Sequence, residues 1–214
     1  NNSDVYEEIG NIHATLKLFD EAIIHYKKAI EMNGHEASYY HSLGQVFYQL
    51  KRYEEALEAY AQLIKEGKVR YVGASNFTPA RLSAALLASE KNSLPRYVTL
   101  QPLYNLCERE VFEKELEPLC VKNNIAVINY FALAVGFLTG KYRTKDDLSK
   151  SIRGDRVEQY LNPKGLGILK ALDEVAAQHS STCASVAIAW LLHRPSVAAP
   201  IASATNLKQL DSLI

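Results

Sequence analysis

The sequence predicts an α region followed by an α/β region, and two observations carry that reading. Residues 3–36 and 37–70 repeat with a period of 34, the length of a helix–turn–helix unit that stacks into a solenoid. From Gly67 onward the repeat dissolves into short apolar runs alternating with helical stripes, the order expected of parallel strands joined by helices. Charge divides at the same place. Residues 1–66 hold 6 Lys and Arg against 11 Asp and Glu, a net of −5, while 67–214 hold 18 against 13, a net of +5. The boundary is therefore set at 66, giving regions 1–66 and 67–214, with helix 54–66 serving both.

In the repeat, Tyr6 returns as Tyr40, Ile9 as Leu43, Gly10 as Gly44, Leu16 as Leu50, Phe19 as Tyr53, Ala22 as Ala56 and Tyr26 as Tyr60. Glycine inside a helix costs about 1 kcal/mol relative to alanine. Gly10 and Gly44 at equivalent positions therefore imply a helix contact that admits no side chain. Ala22, Ala29 and Ala56 supply the matching small residues on the second helices. Asn33-Gly34 ends the first unit, as a left-handed C-terminal turn would require. His13, His25, His35 and His41 share no metal-ligand spacing, so no metal is expected.

The second region opens with a strand over 68–73, followed by Ala74-Ser75-Asn76-Phe77. Thr78-Pro79 then supplies an N-cap and a first-turn proline for a helix. A second strand over 97–101 leads through Pro102 and Tyr104-Asn105 into a helix beginning near Glu108. A third over 125–130 opens into a long glycine-containing loop from Ala134 to about Asn162. Leu166, Leu169, Leu172 and Val175 form one helical stripe, and Val186, Ala187, Trp190 and Leu191 another. A fourth strand over 197–201 precedes a last helix capped by Asn206 and ending at Ile214. Chemistry in such units gathers at the C-terminal strand ends, where Ser75, Asn76, Gln101, Asn105, Tyr130, Ser203 and Thr205 collect. Any one of these could be a turn residue or a cap; together they favour a small-molecule site.

Composition narrows the classes. Hydrophobic content of 48% and charged content of 22% belong to a folded globular chain. Cys107, Cys120 and Cys183 form no metal-type pair, which favours a reducing, cytoplasmic setting. The sequence opens Asn1-Asn2-Ser3-Asp4 without a signal peptide, and no run of 18 apolar residues occurs. Neither a membrane nor a nucleic-acid partner is expected.

Two resemblances follow from these residues. Residues 3–66 resemble the tetratricopeptide repeat (TPR) family, with Gly34 in place of its usual proline and Leu63 in place of a second-unit alanine. That resemblance implies a peptide or protein partner in a groove around Asn11, Tyr40, Gln45 and Tyr48. The alternative, that these residues only pack or face water, stays open. Gly67-Lys68-Val69-Arg70-Tyr71-Val72-Gly73-Ala74-Ser75-Asn76-Phe77, Gln101-Pro102-Leu103-Tyr104-Asn105 and Gly136-Phe137-Leu138-Thr139-Gly140-Lys141-Tyr142 resemble the aldo-keto reductases, in particular bacterial reductases and the potassium-channel β-subunit branch. The match spans 67–214 and corresponds to the second half of that family's (β/α)8 TIM barrel, a four-stranded parallel half barrel.

The aldo-keto reductase resemblance implies an NADP(H) site of weakened affinity. In it Ser75, Asn76 and Gln101 hold the nicotinamide carboxamide, whose acceptor and donors they match. Tyr130 stacks on the nicotinamide ring. Leu133, Gly136, Leu138 and Lys141 line the pyrophosphate loop, with Lys141 and Arg153 toward the 2′-phosphate. Ser203, Ala204, Thr205 and Gln209 fall at the adenosine end, and Thr205 stands where many relatives have Arg, leaving NADP against NAD open. The family's Tyr, Asp, Lys and His that protonate the carbonyl belong to the first barrel half, where this chain has repeats. No catalytic residue is therefore assigned.

Residues 54–69 suit both parents, which reads as recombination within a helix: a chimera, natural or engineered. Half a barrel leaves two strand edges that invite self-association. Three functions compete: an NADP-dependent carbonyl reductase by descent, a repeat scaffold with a residual dinucleotide site, and a recombinant fold without evolved activity. The missing proton donor places the first below the others.

Overall fold

The computed structural model describes residues 2–151, 153–211 and 213, and the chain divides into two compact units. The first comprises Asn1–Gly73 with Thr78–Val98, the second Ala74–Phe77 with Thr99–Ile214.

In the first unit α1 (Asn2–Thr15), α2 (Phe19–Met32), α3 (Ala37–Gln49) and α4 (Tyr53–Lys65) each pack on the next. The sequence period is visible in the contacts. A Cβ on Gly10 would lie 2.6 Å from the Tyr26 ring, and one on Gly44 would lie 2.7 Å from the Tyr60 ring. Both glycines thus exist to admit a tyrosine from the following helix. Ala22, Ala29 and Ala56 are buried, and the core between the pairs joins Ala22, Ile23 and Tyr26 to Leu43, Val46 and Phe47.

The left-handed turns fall elsewhere than expected. Lys17 and Lys51, 34 residues apart, both have φ of 62°. The amides that follow return to the helix before them, Leu18 to His13 O and Arg52 to Phe47 O, each at 2.9 Å. Gly34, by contrast, is not left-handed, and its neighbour Asn33 has φ of −149°. There the Asn33 side chain accepts from the His35 amide instead, so the turn between units is built by a side chain.

Gly67, at φ of 71°, ends α4 with its amide on Ile64 O and the Lys68 amide on Leu63 O, each at 3.0 Å. This helix ending displaces the first strand: β1 is Val72–Ser75 rather than 68–73. α5 (Pro79–Asn92) begins as expected, with the Thr78 hydroxyl accepting from the Arg81 amide. It packs on α4, and its Arg81 donates to the Tyr48 hydroxyl at 3.1 Å while lying over that ring.

β2 (Tyr97–Gln101) has the expected bounds. The helical segment after it takes a π turn over Phe112–Leu116 before α6 (Glu117–Lys122). Pro118, which has no amide to donate, sits just past that turn and breaks the regular ladder. β3 is only Ala126–Val127, not 125–130, and pairs parallel to β2 with Thr99 opposite Ala126. Beyond it Ile128 and Tyr130 still donate to Leu100 O and Pro102 O.

The sheet has three strands in the order β1-β2-β3 among the described residues. The expected fourth, 197–201, makes a single parallel bridge, Val197 to Val127. Ala198 and Ala199 both turn to Val127 O, and Pro200 has no amide with which to extend the ladder.

The expected long loop contains short 3-10 turns (Ala134–Thr139, Lys145–Lys150, Glu158–Tyr160) and α7 (Gly154–Val157). The two amphipathic helices are α8 (Pro163–Gln178) and α9 (Cys183–Leu192), capped by Asn162 and Thr182. Leu169 and Leu172 enter the core with Phe137, Leu138, Tyr142, Tyr160 and Ala187, but Leu166 and Val175 stand at its exposed margin. Asn206 caps α10 (Leu207–Asp211) through the Gln209 amide at 2.9 Å. The expected end of that helix at Ile214 lies outside the described residues.

Candidate functional site

Neighbouring strand ends in the second unit bring four expected residues into one hydrogen-bonded group. Ser75 closes β1 and Gln101 closes β2. The Asn76 amide donates to Gln101 O at 3.2 Å, and the Ser75 hydroxyl donates to the same oxygen at 3.3 Å. Asn76 has φ of 55°, a left-handed conformation that asparagine tolerates better than most residues. From there its side-chain oxygen accepts from the Tyr130 hydroxyl at 2.8 Å, across 54 residues of sequence. Ser75, Asn76 and Gln101 are exposed and Tyr130 is half-buried against the edge of Phe131. The cluster is thus an open wall of hydroxyl and carboxamide groups.

Asn105 looked equivalent in the sequence but does something else. It is fully buried; its amide donates to Phe131 O, and its oxygen accepts from the amides of Cys107 and Glu108. It fastens the turn after β2 to the segment after Tyr130. Asn129, missed by sequence reasoning, works beside it by donating to Tyr104 O at 2.7 Å. Its adjacency to Tyr130 at a strand end was the available signal.

The loop after Tyr130 is held by unusual backbone. Phe131, Ala134, Val135 and Gly136 all have positive φ, costly for a β-branched valine. The Ala134, Gly136 and Leu138 amides donate to Phe131 O, Leu133 O and Leu133 O within the loop. Leu138 is fully buried, and Leu133 packs at the core's edge. Lys141 is exposed, with its ammonium over the Tyr142 ring at 4.9 Å.

Just beyond, Asp147 accepts from the Arg143 and Thr144 amides and pairs with Lys150 at 2.6 Å. The Lys150 contact, with those two amides, holds the Asp147 carboxyl well below its usual range. Arg143 makes a two-bond pair with Asp173, at 2.7 and 2.8 Å. Arg153 is exposed at the start of α7. Ser203, Thr205 and Gln209 are exposed, and the Gln209 side chain accepts from both the amide and the hydroxyl of Thr205 at 2.9 Å. A half-open cavity of about 150 Å³ lies elsewhere, lined by Cys107, Glu108, Tyr160 and Lys164 among others. It is too small for a dinucleotide.

The Aldo/keto reductase family model matches residues 20–214, and a tetratricopeptide repeat model matches 3–35. The chain belongs to the aldo/keto reductase family. Protein tas of Escherichia coli K12 is 31% identical over 162 residues, covering 75% of this chain and 46% of that protein. L-glyceraldehyde 3-phosphate reductase of the same strain is 30% identical over 164 residues, covering 74% and 47%. A crystal structure of a thermostable aldo-keto reductase in complex with the inhibitor epalrestat superposes with a TM-score of 0.56 and 26% identity. It covers 75% of this chain and 47% of that one. The chain spans about half the length of the curated relatives it matches. No helix among the described residues is long and apolar enough to cross a membrane.

Proposed function

We propose that residues 67–214 are a half barrel carrying the nicotinamide-binding wall of an NADP(H) site, and that residues 1–66 are a TPR interaction scaffold joined to it through helix 54–66. The observation that carries this is the Tyr130–Asn76 hydrogen bond beside Ser75 and Gln101. Their chemistry suits the cofactor: with the Asn76 oxygen engaged by Tyr130, its two N–H donors are left to a carboxamide oxygen, while Gln101 and Ser75 offer both donors and acceptors. Lys141 and Arg153 supply positive charge toward phosphate. Leu138, being buried, contributes through its main chain alone, as do Gly136 and Leu133 in the strained loop. Ser203, Thr205 and Gln209 face the adenosine portion.

When bound, the dinucleotide supplies or accepts a hydride. This chain's residues would orient the nicotinamide face through Tyr130 and Asn76. No tyrosine acid with Asp, Lys and His is assigned to this chain, because the family's set belongs to the barrel half whose place the helical repeats take in this sequence. The reading is therefore a chimera-like scaffold with a residual cofactor site and no carbonyl turnover of its own, in the cytoplasm, where its three free cysteines persist. The half barrel's strand edges are proposed to associate with other copies.

The competing reading, a carbonyl reductase by family descent, is favoured by the identity to L-glyceraldehyde 3-phosphate reductase. NADPH fluorescence titration tests the cofactor claim: saturable binding weakened roughly fivefold by Asn76→Ala, the worth of about one hydrogen bond, supports it. The absence of any saturable signal refutes it.

A further inference from the structure

We infer that Asn33, in the turn between the two helical repeats, is a site of spontaneous covalent modification: its side-chain amide closes onto the Gly34 nitrogen and is then hydrolysed by water. Asn33-Gly34 is the one Asn-Gly pair in the sequence. It stands just beyond α2, with Asn33 at φ of −149° and ψ of 83°. The chain has therefore left the helix before the Gly34 amide, and that amide donates to nothing among the described residues. The Asn33 carboxamide is loosely held as well. Its oxygen accepts from the His35 amide at 3.3 Å, while its nitrogen, the group that must leave, has no acceptor among the described residues. Met32, His35 and Glu36 are exposed around the pair, so water reaches it.

The step balances with water as its only co-reactant. The Gly34 nitrogen gives up its proton and bonds to Asn33 Cγ; the Cγ–Nδ2 bond breaks and ammonia departs, leaving a cyclic succinimide. The His35 amide, already at the carboxamide oxygen, stabilises the negative charge that gathers there as the new bond forms. Glycine has no Cβ to hinder the rotation that brings its nitrogen to Cγ. Water then opens the ring at either carbonyl, giving aspartate or isoaspartate. Asparagines at the ends of two other helices are locked. Asn92 donates to Ala88 O at 3.0 Å, and the next amide, Ser93, is on Glu90 O. Asn123 donates to Leu119 O at 2.8 Å, and the Asn124 amide is on Val121 O. Either product at Asn33 weakens the junction. Isoaspartate runs the main chain through an added methylene between α2 and α3, whose packing joins Ala22, Ile23 and Tyr26 to Leu43, Val46 and Phe47. Aspartate places negative charge at the C-terminal end of α2, where the helix dipole is already negative and the last turn holds no basic residue. Ageing at this turn thus loosens one repeat from the other. The inference does not rest on the cofactor reading.

Incubating the whole chain in oxygen-18 water at mildly alkaline pH, then digesting it in ordinary water, tests this by peptide mass spectrometry. Heavy oxygen in the product marks conversion in the intact chain, and electron-transfer fragmentation separates isoaspartate from aspartate. Asn33 should convert in the folded chain at close to its rate in urea, releasing ammonia and yielding both products. Asn92 and Asn123 should speed up at least about tenfold on unfolding, the worth of the two hydrogen bonds that hold each. Gly34→Ala, whose Cβ would meet Ile30 O at an ordinary 3.4 Å, should keep the circular dichroism of the fold while slowing conversion severalfold. The aged chain should unfold at lower urea than the fresh one. Protection of Asn33 in the folded chain as strong as that of Asn92 overturns the inference. So does aspartate without isoaspartate, which would mean direct hydrolysis with no ring, and so does an unchanged rate in Gly34→Ala. An aged chain as stable as the fresh one overturns the loosening.

Discussion

Replacing Gly10 by alanine should destabilise the chain, although the same change in an open helix stabilises it. In a helix interior, alanine is favoured over glycine by about 1 kcal/mol. At Gly10 the added methyl would lie 2.6 Å from one atom of the Tyr26 ring and 2.8 Å from the next. The ring has little room to yield. It is 2% exposed, and its hydroxyl is tied to the Asn11 side chain at 2.9 Å. Overpacking of this kind costs about 1–3 kcal/mol, so after the propensity gain the net expectation is a loss of up to about 2 kcal/mol.

Gly167 provides the contrast, for it lies inside α8 and a Cβ there would meet nothing within 4 Å. Gly167→Ala should gain about 1 kcal/mol. Urea unfolding followed by circular dichroism measures both, and in a Tyr26→Leu background the effect of Gly10→Ala should change sign as the ring is removed. If Gly10→Ala stabilises the otherwise unaltered chain as much as Gly167→Ala does, the close approach is not what keeps glycine in the repeat.

Two further predictions concern the second unit. Burial pushes the Cys107 thiol up to about 12 and the Cys120 thiol to about 11. Both should therefore resist alkylation at pH 8 in the folded chain and react once urea unfolds it, as mass spectrometry would read; rapid native labelling of Cys107 would contradict its burial. The segment after Lys141 should loosen only in acid. Asp147 is depressed, first by Lys150 and then by the Arg143 and Thr144 amides, and Asp173 is depressed first by Arg143. A depressed carboxyl contributes in full above its unfolded value, near 3.8 for aspartate, and that contribution is lost as pH falls through the folded value. Amide exchange of residues 143–150 should stay slow from pH 7 to about 4 after correction for intrinsic rates, and accelerate below. Loss of protection above pH 5 would show that these carboxylates do not hold the segment.

How much of this was legible depended on whether the deciding contact was local. β2 was readable because Tyr97, Val98 and Thr99 favour a strand and Pro95 and Pro102 bracket it, whereas β1 starts four residues later than expected and ends two later. Lys68 and Val69 have strand-like neighbours, yet Leu63 O draws both amides back into the end of α4. Pro118 marks a break in the helix without telling that it takes the form of a π turn, and the left-handed Lys17 and Lys51 carry no residue type that announces them. The helix caps at Thr78, Asn162, Thr182 and Asn206 were local chemistry, though only those at Thr78 and Asn206 were named in advance.

At the site, strand-end position picked out Ser75, Asn76, Gln101 and Tyr130 without revealing the bond between residues 76 and 130. The same criterion gathered Asn105, whose side chain is buried between the turn after β2 and Phe131 O. Burial separates those two cases, and burial is set by segments distant in sequence.

The central proposal is that the strand-end wall of Ser75, Asn76, Gln101 and Tyr130 binds nucleotide without turning over a carbonyl. The direct measurement is NADPH absorbance at the reduced-cofactor band with the purified chain and a reactive aldehyde, alongside Asn76→Ala and Tyr130→Phe. The account predicts nucleotide binding that both variants weaken, with oxidation no faster than in a protein-free blank. Aldehyde-dependent oxidation at a rate ordinary for a full-length family member would contradict it.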